Sequence, residues 1–128
     1  MTLYGIKVVP PEWQDTMPLP FDKASHDASG IEQGTRVLIF RRGEGILGEG
    51  EVHGFFIHPR EWTGESKEDL PASLANADYL LPVGMLYRRE DVIPPQTVRD
   101  ALNDPAFPSG DGWRTIDQDA YGRLTNYP

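Results

Sequence analysis

Three tryptophans, a run of short polar residues and two arginine pairs are the side chains best suited to recognition in this sequence. An indole offers a flat stacking face and one N–H donor. Trp13 and Trp62 stand in polar, loop-like stretches where core burial is hard to arrange, so they are the leading candidates for stacking. Trp113 lies in an apolar run and reads as core, while Phe21 and Tyr79 read as packing residues or weaker stacking faces. Ser25-His26-Asp27 places a hydroxyl, an imidazole and a carboxylate at consecutive positions. Side chains that adjacent rarely attain the geometry of a Ser-His-Asp relay, so no catalytic residue is assigned. Read locally, the run is a turn or a helix cap. Arg41-Arg42 and Arg88-Arg89 each follow an apolar run. They are either solvated strand ends opposed by Glu44, Glu90 and Asp91 or a small phosphate-facing patch. His53 and His58 are five apart, which in a continuous strand points them to opposite faces, so no metal site is expected.

The composition bounds what can position these groups. A chain of 128 residues suits one closed core, and a single domain spanning 1–128 is expected. Cysteine is absent, which excludes disulfides, thiolate metal sites and cysteine nucleophiles and fits a reducing compartment. No stretch approaches the roughly 18 apolar residues of a membrane span, and Met1 to Pro10 lacks the pattern of a leader, so a cytoplasmic protein is expected. Twenty acidic against twelve basic residues give a net charge of −8, which argues against indiscriminate coating of DNA or RNA. A local basic site remains compatible with that balance, because nine of the twelve cations are arginines and four of those are paired.

Period and punctuation then give the elements. Leu3 to Val9 alternates Tyr4, Ile6 and Val8 against Leu3, Gly5 and Lys7, which predicts a strand ended by Pro10-Pro11. Residues 10 to 35 read as a long loop, of the kind that is commonly functional. Arg36 to Arg41 is apolar on both faces and predicts a central strand, followed by a turn at 42–45 and a glycine-rich strand at 46–57. Residues 58 to 78 form a polar excursion, and Tyr79 to Tyr87 is again a strand in which Pro82 marks an edge or bulge. Val98, Ala101 and Leu102 recur at helical spacing. Thr115 and Gln118 match a capping box ahead of a second short helix carrying Ala120, Tyr121 and Leu124. The fold class predicted is α+β, mostly β: a small twisted barrel with short helices packed around it.

Four segments in this order resemble a known family. They are Tyr4-Gly5-Ile6-Lys7-Val8-Val9-Pro10-Pro11-Glu12-Trp13, the hairpin of Gly34 to Phe40 with Gly45 to Val52, the stretch from Val83 to Asp104 with Pro94-Pro95, and Gly112 to Ile116 followed by Tyr121 and Leu124. Together they are similar to the EVE domain, a PUA-like relative of the YTH readers of modified nucleotides. That resemblance implies a nucleic-acid-binding module that reads a modified or flipped nucleobase in DNA or RNA. It places the base pocket at the 10–35 loop, with Trp13 or Trp62 stacking and Ser25, His26 or Asp27 contacting the base edge. Arg41, Arg42, Arg88 and Arg89 would hold flanking phosphates. Where the family carries a tryptophan and an Arg-Asn-Asn-like run in that loop, this chain reads Phe21-Asp22-Lys23-Ala24-Ser25-His26-Asp27.

The partners implied are a nucleic acid carrying a modified base and an effector nuclease acting beside it, with no cofactor, no membrane and a monomeric chain. Two other readings stay open. In the related ASCH domains, small amidohydrolases use a lysine, a hydroxyl and a distant glutamate, a set that Lys23, Ser25 and Glu51 imitate without the local Gly-x-Lys signature of that branch. A protein-interaction domain would use the 58–78 excursion and would show an exposed apolar patch.

Overall fold

The computed structural model describes residues 3–22, 31–64, 70–108 and 112–127. Among these residues seven strands and three α-helices follow in the order β1 (Tyr4–Val9), β2 (Leu19–Phe21), β3 (Arg36–Arg41), β4 (Gly45–Val52), α1 (Ala72–Ala75), β5 (Tyr79–Leu81), β6 (Val83–Ile93), α2 (Pro95–Leu102), β7 (Trp113–Ile116) and α3 (Gln118–Thr125). Five strands form a mixed sheet in the order β6-β4-β3-β1-β7, and β2 pairs with β5 in a separate two-stranded ribbon. Within the large sheet β1 runs parallel to β3, and the other pairings are antiparallel. The result is the mostly-β α+β fold expected from the sequence pattern.

The apolar run of β3 puts it at the centre of the sheet, where both of its faces need cover. On one face Val37 and Ile39 join Val9, Leu47, Trp13 and the ribbon residues Leu19, Phe21, Leu80 and Leu81 in a first core. On the other, Leu38 and Phe40 join Ile6, Val8, Ile46 and Ile93 beneath α2 and α3, which contribute Val98, Ala120 and Leu124. Each face of the sheet therefore has its own core, and the period-two alternation of β1 sorts its residues between them.

The β3–β4 turn shows why glycine is needed at 45. Gly45 has φ +124°, and a Cβ there would stand 2.0 Å from the carbonyl oxygen of Ile93. Beyond this turn the pairing of β4 with β6 slips: Ile46 pairs with Ile93 and Gly48 with Arg88, so Arg89 to Val92 have only Leu47 opposite them. This wide bulge lies on the edge strand of the sheet, where such irregularity blunts edge-to-edge pairing.

Several boundaries differ from expectation for identifiable reasons. The long 10–35 stretch contains β2, whose three residues, including Pro20, lie on a short ribbon that a period search over longer windows passes over. The Tyr79–Tyr87 run divides at Pro82, so that Tyr79–Leu81 pairs with β2 and the rest begins β6. Helix α3 is capped by Asp117, whose carboxylate accepts from the Ala120 N–H at 2.7 Å, while Thr115 lies inside β7. The Thr115–Gln118 capping box is therefore incorrect, because pairing with Gly5 holds Thr115 in the sheet.

Candidate functional site

Lys7 has the least expected position of any charged side chain among the described residues. It lies in the middle of β1, paired with Ile39 on one side and Trp113 on the other, and only 1% of it is exposed. A buried ammonium needs partners in a low-dielectric surround. Its Nζ donates to the Val8 carbonyl at 3.0 Å and sits 4.8 Å from the centroid of the Phe21 ring, within range of a cation–π attraction.

Phe21 belongs to a connected set of rings. Its centroid is 5.1 Å from that of Phe56 in an edge-on arrangement and 6.3 Å from that of Trp113, and Phe56 lies 6.2 Å from Tyr79. Phe21 is buried, whereas Phe56, Tyr79 and Trp113 are half-buried. Different elements deliver these rings: Phe21 ends β2, Tyr79 opens β5 opposite it, Phe56 follows β4, and Trp113 opens β7. Gly5 makes the position of Trp113 attainable, since a Cβ there would lie 2.1 Å from a carbon of the indole ring. The assembly offers connected π faces, one of them beside a desolvated cation, which suits a flat ligand carrying a hydrogen-bond acceptor.

The chain leaves this cluster through Asp22 into residues 23–30. Ser25, His26 and Asp27, expected at the edge of a bound base, and Lys23 of the amidohydrolase reading all lie outside the described residues. Glu51, the third member of that reading, pairs with Arg36 at 3.4 Å and lies 3.6 Å from His53.

Of the two leading tryptophans, Trp13 is placed differently from expectation. Trp13 is fully buried, and its indole N–H donates to the Pro18 carbonyl at 2.9 Å. Its assignment as a stacking face is corrected: the loop after β1 folds back on itself, and Trp13 fills the first core with no face left for a ligand. Trp62 is half-buried against the same core, its Nε1 is buried without a hydrogen-bond partner among the described residues, and Gly64 packs against its ring. Trp113, read as core, instead belongs to the half-buried ring cluster.

The arginine pairs separate. Arg41 and Arg88, distant in sequence, line one shallow depression of about 430 Å³ with Gln14, Asp15 and Thr16. Arg41 donates to the Trp13 carbonyl at 2.7 Å and pairs with Glu44, and Arg88 pairs with Asp15. Partly exposed pairs of this kind are worth at most about 1 kcal/mol each, so an arriving phosphate can compete for both cations. Arg42, next to Arg41 in sequence, is half-buried. Arg89 points elsewhere: it donates to the carbonyls of Asp91 at 2.9 Å and Tyr127 at 3.1 Å and lies over the Tyr127 ring.

Among the described residues no group of three or more His, Asp or Glu side chains is arranged to hold a metal ion. No helix among them is long and apolar enough to cross a membrane.

No family model and no curated protein matches this sequence. Solved structures do match it along nearly its whole length. A hypothetical protein from Leishmania major superposes with a TM-score of 0.66 at 16% identity, covering 98% of this chain and 93% of that one. Human THYN1, solved in complex with 5-methylcytosine-containing DNA, gives a TM-score of 0.60 at 10% identity and covers 94% of each chain. An ASCH protein from Zymomonas mobilis gives 0.50 at 10% identity, covering 95% of this chain and 96% of that one. The chain accordingly shares the mostly-β α+β fold of these structures.

Proposed function

We propose that this chain is an EVE-like nucleic-acid-binding module that holds a modified or extruded nucleobase against the ring cluster around Lys7, and that it is not an enzyme. The observation that carries this reading is the burial of a lysine ammonium over the Phe21 ring, which is itself joined to Phe56 and Trp113 and, through Phe56, to Tyr79. In this reading Trp113 and Phe56 supply the stacking faces, in place of Trp13. Lys7 donates toward a ring acceptor, and Ser25, His26 or Asp27 complete the contacts to the base edge. Arg41 and Arg88, with Arg42 at the margin, take the flanking phosphates. The human protein of the same fold bound to DNA containing 5-methylcytosine supports a base-reading role for the architecture.

The chemistry sets the size of the effects. Stacking on an aromatic side chain contributes on the order of 1–3 kcal/mol per base. The net charge of −8 makes the phosphate contribution small, so affinity falls as salt rises, with few phosphates neutralised. The test is a fluorescence titration, at low and moderate salt, against short single- and double-stranded DNA and RNA with and without methyl groups on cytosine or adenine. Preference for one modified base with quenched indole emission is expected. Equal affinity for modified and plain oligonucleotides, or binding to none, overturns the reading.

A further inference from the structure

The helical side of the sheet carries a second pocket, of about 170 Å³, among residues of the core that α2 and α3 cover. It is small beside the roughly 300–1,000 Å³ typical of drug-sized ligands, and so suits one six-membered ring with a single substituent lying outside. Leu38, Ile46, Ile93 and Leu124 make its floor and sides apolar. One carboxylate, that of Glu49, reaches into this lining with its side chain 12% exposed.

Glu49 is held by two groups, Tyr121 and Arg36. The Tyr121 hydroxyl donates to the carboxylate, at 2.8 Å from Oε2, and the Tyr121 ring is itself stacked on Tyr4 at 4.0 Å. Arg36 stands 3.8 Å from the same oxygen. Burial, then the hydrogen bond and charge of Glu49, push the Tyr121 hydroxyl well above its ordinary range, so it remains a donor throughout physiological pH. An ionised carboxylate offers about four acceptor sites, more than one phenol uses. The exposed Tyr87, 60% accessible, and the half-buried Arg89 complete the lining.

The order of charges along this pocket selects among ligands. A nearly buried carboxylate repels an anionic group close to it, and the guanidinium that shares the lining disfavours a cation there. A neutral hydrogen-bond donor on a flat ring, trailing an anion, satisfies both. We propose that this pocket binds a pyrimidine nucleotide bearing an exocyclic amino group, with the amino group donating to Glu49, the ring lying against Tyr87 and the phosphate meeting Arg89. A carboxylate accepting from the cytosine amino group is a recurrent mode of base recognition. The pocket shares no residue with the Lys7 cluster, and the inference stands whether or not that cluster holds a base.

The test compares cytidine 5′-monophosphate, uridine 5′-monophosphate and cytidine by two-dimensional amide NMR titration of the full chain. Cytidine monophosphate is expected to bind about tenfold more tightly than uridine monophosphate. It is also expected to bind more tightly than cytidine and to shift the amides of Tyr87, Arg89 and Leu124. Glu49→Gln should abolish the preference for cytidine monophosphate over uridine monophosphate. Tyr87→Ala, at an exposed position that leaves the core intact, should weaken binding of cytidine monophosphate. Equal binding of the two nucleotides, shifts confined to the Arg41 and Arg88 depression, or no shifts at millimolar ligand would overturn the proposal.

Discussion

Lys7→Met is expected to lower affinity for an oligonucleotide carrying the preferred modified base by about ten- to a hundredfold while leaving the fold intact. Methionine keeps the unbranched aliphatic stem that packs beside Phe21 and removes only the ammonium. A hydrogen bond from a charged group contributes about 1.5–3 kcal/mol, which corresponds to the loss expected if Lys7 donates to the bound base. The cost to stability is smaller. The loss of the donor to the Val8 carbonyl is partly offset by relief of the ammonium's desolvation, and the methionine keeps the packing of the stem. Titration and thermal unfolding of the same sample separate the two effects. Unchanged affinity in a folded Lys7→Met variant would remove Lys7 from the binding site.

Trp13→Ala is expected to destabilise the protein by about 3–5 kcal/mol, the range for emptying a buried aromatic site. Trp13 is the largest of the fully buried side chains, and its removal also leaves the Pro18 carbonyl without its donor. Against a total stability of roughly 5–15 kcal/mol, this loss brings the chain close to unfolding. Trp13→Phe should cost markedly less, since it refills most of the cavity. Urea denaturation of both variants checks the expectation. A Trp13→Ala variant with normal stability and lost binding would return Trp13 to the role that its surrounding sequence suggests.

These two residues show where the sequence was informative and where it was not. The run Val37-Leu38-Ile39-Phe40 has no polar face, so its central place was legible, whereas Pro82 read only as an edge or bulge within one strand that in fact divides there between two sheets. Period-two alternation sorted the residues of β1 correctly between two faces, but it carries no information on how many layers lie outside each face. Nothing in that pattern singles out Lys7, on the face that the β2–β5 ribbon covers. Trp13 follows two prolines in a polar stretch, and only the return of the chain at Met17 to Leu19 buries it. The juxtapositions of Arg41 with Arg88 and of Glu49 with Tyr121 join separate elements through the sheet order, which no local pattern encodes. Trp113 was legible as apolar, whereas its place beside Gly5 depends on the pairing of the first strand with the last.

The base-reading proposal is tested most directly by following the amide and aromatic NMR signals of the chain as a short oligonucleotide carrying the preferred modified base is added. The predicted result is that the largest shifts fall on Lys7, Phe21, Phe56, Tyr79 and Trp113, with smaller ones at Arg41 and Arg88. Shifts confined to the two arginines, with the ring cluster unmoved, would contradict it and leave only contact with the phosphate backbone.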